Sequence, residues 1–157
     1  MQTIIIDTRE KPQAIGKILK QFEEAEIKTI RSKLFVGDYQ SLDNGRLVID
    51  RKQNLQELCG NVCQQHERFV NELYRAKEHG IKIIILCEHS PSIKCLEDVQ
   101  GWVNPRLRTS PKALTGEKLY KILSTLAQRY NVDFEFCGKH ETGKRIIELL
   151  GGKTDEN

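Results

Sequence analysis

Apolar and polar positions along this chain follow two periods, and the alternation between them lays out a series of elements. Gln2 to Asp7 is short and β-branched, which predicts a buried strand. Lys11-Pro12 opens a predicted helix with Pro in its first turn and Ile15, Ile18, Leu19 and Phe22 as its apolar stripe. Glu26 to Phe35 alternates loosely and reads as a strand, after which Gly37-Asp38 interrupts the pattern. Tyr39 to Leu42 and Arg46 to Arg51 read as the arms of a hairpin with Asp43-Asn44-Gly45 as its turn. Leu55, Leu58, Cys59, Val62, Phe69, Val70, Leu73 and Ala76 keep helical spacing, in one long helix or two abutting ones, and Gly80 stands where a helix cap belongs. Ile81 to Cys87 is the most apolar strand and the expected centre of the sheet. Residues 89–114 are irregular. Leu119, Ile122, Leu123, Leu126, Ala127 and Tyr130 mark another amphipathic helix, Val132 to Cys137 a strand, and Thr142 to Leu150 a last short helix closed by Gly151-Gly152. The order β-α-β-β-β-α-β-α-β-α predicts an α/β fold with a mixed central β-sheet flanked by α-helices.

Composition narrows the class. The 157 residues suit one domain, expected over 1–151 with a disordered tail at 152–157. With 38% hydrophobic and 30% charged residues the chain resembles neither a membrane protein nor a disordered one. The aliphatic runs Ile4-Ile5-Ile6 and Ile83-Ile84-Ile85-Leu86 are strand length, so no membrane partner is expected. No basic region followed by an apolar stretch opens the sequence, and the five cysteines are odd in number, which together point to a reduced, cytoplasmic setting. Cys59, Cys63 and His66 are close enough in sequence to weigh as zinc ligands, against the commoner reading of small apolar cysteines on a helix stripe. The net charge of +3 permits nucleic acid as a partner without arguing for it.

The hairpin carries the candidate chemistry. A three-residue loop with Gly45 in the left-handed position pairs Leu42 with Arg46, and counting outward sets Asp38 opposite Asp50. Opposed residues have Cβ atoms about 5 Å apart, so two carboxylates there repel unless a cation lies between them. Period two puts Lys52 on the same face as Asp50 and turns Arg51 to the other. One face then offers two carboxylates and an ammonium, a hard-oxygen set suited to Mg²⁺ or Mn²⁺. A two-residue Asn44-Gly45 turn would instead oppose Asp38 to Arg51 and make an ordinary salt bridge.

These residues resemble a known family. Ile4-Ile5-Ile6-Asp7-Thr8-Arg9-Glu10 resembles an opening strand of the form D-x-R-E. Val36-Gly37-Asp38-Tyr39 with Ile49-Asp50-Arg51-Lys52 resembles the signature G-D-x(n)-E-R-K-x-x-x-D of the XPF-type structure-specific endonuclease domain, within the PD-(D/E)xK nuclease superfamily. Glu67-Arg68-Phe69, the strand from Ile83 to Glu88, and Glu141-Thr142 add to the match, which is close over residues 2–88 and loose over 115–150. The resemblance implies a restriction-endonuclease-like core and a Mg²⁺- or Mn²⁺-dependent DNA endonuclease acting on branched, flapped or junction DNA in repair, recombination or phage DNA processing. It implies Asp38, Asp50, Lys52 and Arg51 as the catalytic set, with Asp38 and Asp50 as metal carboxylates. The Arg51 carbonyl is implied as a further ligand, and its side chain as a buttress or phosphate contact. Asp7 is implied at the edge of the site, binding metal through water, with Arg9 and Arg68 as accessory DNA contacts. A homodimer or heterodimer is implied too, formed on an apolar face of the 115–130 or 141–150 helix.

The sequence departs from the pattern in three places. Asp50 stands for the usual Glu, the trailing Asp falls on Gln56 with Glu57 beside it, and no helix-hairpin-helix module is expected within these 157 residues. The first two motivate a rival reading, a non-catalytic DNA-binding or dimerisation module on a degenerate nuclease fold. The third asks what grips DNA. Trp102, Arg106, Arg108 and Lys112 are the candidates, in a stretch with basic side chains and no acid, where the indole would stack on an unpaired base.

Overall fold

A computed structural model describes residues 2–89 and 91–151; the tail expected at 152–157 lies outside the described residues. Six strands form one sheet: β1 (Thr3–Ile6), β2 (Lys28–Arg31), β3 (Tyr39–Ser41), β4 (Asn44–Lys52), β5 (Lys82–Glu88) and β6 (Val132–Cys137). Their order is β2-β1-β3-β4-β5-β6. β3 runs antiparallel to β1 and β4, and the other pairings are parallel, so the sheet is mixed as expected. Helices α1 (Gly16–Glu24) and α5 (Thr142–Leu149) cover one face; α2 (Leu55–Val62), α3 (His66–Glu78) and α4 (Gly116–Arg129) cover the other.

Strand periodicity divides the core between the two faces. On β5, Ile83, Ile85 and Cys87 join α2, α3 and α4, while Ile84 and Leu86 join α1 and α5. On β4, Val48 enters the first cluster and Ile49 the second. The same alternation carries on to the charged end of β4, and this is what positions the site.

Three expectations are corrected. The strand read over Glu26–Phe35 shrinks to Lys28–Arg31 at the sheet edge. Glu26 takes a left-handed turn with φ 58°, and the Leu34 amide leaves the ladder to donate to Asp7 Oδ1 at 2.7 Å. The first helix starts at Gly16 because Pro12–Ala14 form a separate 3₁₀ turn. The hairpin tip is neither turn considered. Ser41 pairs with Asn44 around Leu42-Asp43, with Ser41 Oγ accepting from Asp43 N and Asn44 Oδ1 from Arg46 N. Gly45 is not left-handed, and Gly45, Arg46 and Leu47 bulge from β4 before pairing resumes at Gln40–Val48 and Tyr39–Ile49. That register is the one counted from the sequence.

The helical stretch after the hairpin is two helices. Gly80, at φ 69°, caps the second in the left-handed conformation. Residues 89–114 contain 3₁₀ turns at Leu96–Gly101 and Pro105–Arg108. Among the described residues no helix is long and apolar enough to cross a membrane. Among the described residues the large exposed apolar side chains are Ile30, Phe35, Leu42, Tyr74 and Val103, so neither α4 nor α5 presents one where the dimer face was expected.

Gly116 begins α4 in tight contact with the preceding irregular segment. A Cβ there would lie 2.4 Å from the Val99 carbonyl oxygen and 2.5 Å from that of Trp102, both backbone atoms. Gly116→Ala is expected to destabilise the domain by about 1–3 kcal/mol. Denaturant unfolding checks this, and an unchanged midpoint would mean the α4 entrance relaxes freely.

Candidate active site

Val36-Gly37-Asp38 delivers the first carboxylate. Gly37 has φ 77°, and a Cβ on it would stand 2.9 Å from Val48 Cγ2, so glycine is required by both conformation and space. Asp38 is clamped on both sides: its amide donates to Ile49 O at 2.7 Å, and its carbonyl accepts from Asp7 N at 2.8 Å. Asp38 Oδ2 accepts the Arg51 amide at 2.8 Å. One step beyond the Tyr39–Ile49 pair, this sets Asp38 beside Asp50 on the neighbouring strand.

Asp50, Arg51 and Lys52 then split across the sheet. Lys52 Nζ lies 3.4 Å from Asp50 Oδ2 and 3.9 Å from Glu57 Oε2 on α2. Arg51 projects to the other face. Its Nε and Nη2 reach Glu10 at 2.7 and 3.2 Å, and its Nη1 reaches Glu88 at 3.2 Å. Tyr39 Oη donates to Glu10 Oε1 at 2.7 Å, and Thr142 Oγ1 to Glu88 Oε2 at 2.6 Å. The Arg51 side chain is therefore a buttress joining the ends of β3, β4 and β5 to α5.

Charge in the site is strained where the carboxylates meet. Burial, reinforced by the adjacent Asp50, holds the Asp38 carboxyl well above the usual carboxylate range. Burial, followed by Asp50, also raises Glu72 of α3. For Lys52, burial disfavours the charge, but Asp50, Glu57, Asp38 and Glu72 outweigh it and raise its pKa. The side chain is an ammonium at neutral pH, suited to orienting or neutralising charge rather than to accepting a proton.

The surrounding cleft has a volume of about 640 Å³ and is open to solvent. Arg9, Arg68 and Arg75 stand along it, with Asp38, Asp50, Lys52 and Glu72 within. Asp7 is wholly buried instead of lining the cleft. Its Oδ2 accepts from Arg9 Nε at 2.6 Å and Arg9 N at 2.9 Å, and its Oδ1 from Leu34 N. Burial raises its pKa, yet these donors outweigh that and hold the carboxyl below its usual value. Asp7 thus orients Arg9, a correction to its expected place at the metal.

The other candidates lie elsewhere. Arg106 and Lys112 line a second cavity of about 280 Å³, Arg108 is exposed outside it, and Trp102 packs half-buried against the core with its ring edge-on to His89 at 6.2 Å. The proposed zinc ligands do not converge. α2 ends at Val62, His66 Nδ1 contacts Val62 O at 3.2 Å, and burial pushes the Cys59 thiol up to about 11.

Glu10, Glu57, Glu72, Arg75 and Glu88 are among the site residues given no role from sequence. Arg68, Glu72 and Arg75 share a helix face by spacing, and Asn54-x-x-Glu57 has capping spacing, with Asn54 Oδ1 accepting from Glu57 N at 2.9 Å. Glu57 is also the acid that reaches Lys52, while Gln56, at the family's trailing-Asp position, lines the second cavity. Among the described residues no group of three or more His, Cys, Asp or Glu side chains could hold a metal. The residues that would hold a cation here are the Asp38–Asp50 pair. Two like charges forced together, one of them strongly disfavoured, are a donor set that a hard divalent cation fits.

Two outcomes follow from this geometry. Arg51→Ala leaves Glu10 and Glu88 buried without their cation and is expected to cost about 3–5 kcal/mol in chemical unfolding. An Arg51→Ala midpoint equal to wild type would show that the network carries no stability. For Asp38, a folded pKa raised above the unfolded value of about 3.9 contributes stability below that value and loses it as pH rises through the folded pKa. Asp38→Asn keeps the acceptor for the Arg51 amide and cannot ionise. Without metal it is expected to melt higher than wild type at pH 8, by about 2–4 °C per kcal/mol of repulsion removed, and to lose that advantage in acid. Thermal melts in chelator check this; coincident melts at pH 8 would mean that no repulsion is present.

The profile of the ERCC4 domain matches residues 6–150. No curated protein matches the chain. Among solved structures, XPF from Aeropyrum pernix aligns with a TM-score of 0.66 at 20% identity, covering 94% of this chain and 63% of that one. XPF from Aeropyrum pernix in complex with DNA aligns with a TM-score of 0.63 at 20% identity, covering 96% and 64%. The chain thus spans about 63% of the length of the first of these structures, and the likeness establishes a shared fold. With its profile running through the Gly37-Asp38 turn, the Asp50-Arg51-Lys52 run and the last helix, the chain belongs to the ERCC4 domain family.

Proposed function

We propose that this domain is a divalent-metal-dependent endonuclease that hydrolyses phosphodiester bonds in branched, flapped or junction DNA. The observation that carries the reading is Asp38, just before β3, beside Asp50 of β4, with the Lys52 ammonium 3.4 Å from Asp50 in an arginine-edged cleft. Membership of the ERCC4 domain family supports nuclease chemistry, and the DNA in the Aeropyrum pernix XPF complex supports DNA as the ligand.

Asp38 and Asp50 would hold Mg²⁺ or Mn²⁺, which supplies Lewis-acid polarisation of the phosphoryl group and a lowered pKa for water. Lys52 places a positive charge where the phosphorane develops negative charge. Glu57 restrains the Lys52 ammonium from the α2 side. Arg9 and Arg68 neutralise backbone phosphates at the mouth, Arg9 being held from beneath by Asp7. Arg51 lines the cleft and acts through the strands its side chain ties together. The Glu57 contact answers the departure at Gln56 and favours the catalytic reading over the degenerate module.

The test is cleavage of fork, flap, junction and linear DNA with Mg²⁺ or Mn²⁺. Lys52→Ala and Asp50→Asn are each expected to lower the rate by about 10²–10³. No metal-dependent cleavage by the wild type, or cleavage undiminished in both variants, would overturn the proposal.

A further inference from the structure

The cavity between α2 and the irregular 104–114 segment has no part in the chemistry above. We propose that it is a second nucleic-acid site, which takes a nucleotide of an unpaired strand while the strand to be cut lies in the catalytic cleft. The inference rests on the reading of DNA as the ligand, and it names the feature of branched DNA that the fold would recognise.

α2 is a wall shared by the two spaces. Gln53, Glu57 and Asn61, at four-residue steps, line the catalytic cleft. Gln56, Gly60 and Gln64, also at four-residue steps, line the second cavity. With Gln53 and Gln64 just outside its ends, α2 offers the two spaces neighbouring rows of one surface, about 60–100° apart, and they open on either side of the ridge between those rows. A strand on each side of such a ridge must diverge from its partner, as the strands do at a fork or flap and do not in a continuous duplex.

The two sides of the wall carry opposite charge. The catalytic cleft holds Asp38, Asp50, Glu57 and Glu72. The second cavity is lined by Arg106 and Lys112 and by no carboxylate. A phosphate can enter it without a metal ion. Ser110 adds a hydroxyl, Gln56 and Gln64 add amides that can meet base edges, and Leu114 supplies apolar surface. A volume of about 280 Å³ falls just below the range of about 300–1,000 Å³ for small-ligand pockets, so the space admits at most one nucleotide and excludes a duplex.

The irregular wall is held in place before any ligand arrives. Asn104 is only 2% exposed. Its Nδ2 donates to Leu114 O at 2.9 Å and its Oδ1 accepts from Arg106 N at 3.0 Å. One buried amide thereby pins both ends of the segment that carries Arg106 and Lys112, and lowers the ordering cost of binding. Gly60 points the same way. A glycine inside a helix costs about 1 kcal/mol relative to alanine. Packing does not require it, because a Cβ at Gly60 would meet nothing closer than Gln64 Oε1 at 3.8 Å. Its effect is to leave the α2 backbone open to the cavity.

Cys63 is exposed and lines this cavity, and Cys95 is exposed outside it, so alkylation by N-ethylmaleimide reads occupancy directly. The test uses the full chain carrying Lys52→Ala, with fork DNA and blunt duplex of equal length, each about tenfold above its own Kd by fluorescence anisotropy. Fork DNA is expected to slow alkylation of Cys63 about tenfold and leave Cys95 unchanged, while blunt duplex protects neither. Adding Arg106→Ala and Lys112→Ala is expected to abolish the protection and weaken fork binding, with duplex binding retained. Equal protection by fork and duplex, an unprotected Cys63 on bound fork, or no fork binding would each overturn the proposal. The readout involves no cleavage. Protection in a wild-type protein that cuts no DNA would defeat the nuclease reading and leave this site standing, and cleavage without protection would do the reverse.

Discussion

A buried arginine holds the active end of this fold together. Arg51 has two carboxylates to answer it, Glu10 beyond β1 and Glu88 at the end of β5, and all three side chains are nearly excluded from solvent. Tyr39 and Thr142 complete the set by donating to those carboxylates. The arrangement has little tolerance for partial loss, because each charge is costly once its partner is gone. It also fixes the strand ends laterally. Asp38 and Asp50 face each other because β3 and β4 cannot splay, and the Arg51 amide that caps Asp38 belongs to the residue whose side chain ties the other face.

The two sides of the sheet end thus do opposite things with charge. Beneath, one cation is shared by two carboxylates, and each carboxylate accepts a further hydroxyl donor. Above, Asp38 and Asp50 are left in conflict, with Lys52 giving partial relief from one side. The unfavourable arrangement can persist because the favourable one is one residue away on the same strand. Ionisable groups perturbed in this way cluster at functional sites, which supports the cation site proposed for the pair.

Much of this was legible in the sequence, for identifiable reasons. β5 is an apolar run and β6 an alternation of apolar and acidic residues, both with clear ends, and period two alone separates Arg51 from Asp50 and Lys52. The opposition of Asp38 to Asp50 followed from counting along the hairpin, and it survives although the tip differs, because the bulge at Gly45, Arg46 and Leu47 restores the register. The tip itself was hidden in side-chain hydrogen bonds from Ser41 and Asn44. The overlong β2 was hidden in a tertiary bond, since nothing near Leu34 in sequence shows that its amide belongs to Asp7. Glu72 and Glu88 take their meaning from residues 35 and 54 positions away, Gly37 and Thr142, beyond the reach of local pattern. Trp102 shows another limit: nothing in its sequence neighbours reveals that its indole packs half-buried against the core.

The bond from Thr142 to Glu88 has a bearing on the order in which the molecule comes into being. Its partners are 54 residues apart, and Thr142 opens the last helix described. A chain emerging from the ribosome presents Asp38, Asp50, Lys52 and the whole of β5 well before Thr142 exists. Through that interval Glu88 shares Arg51 with Glu10 but lacks its second partner, and the apolar residues of α5 that cover the adjacent face are not yet made. Completion of the site is therefore tied to arrival of the final helix, so the nascent domain carries its charged residues without the framework that brings them to bear on one another.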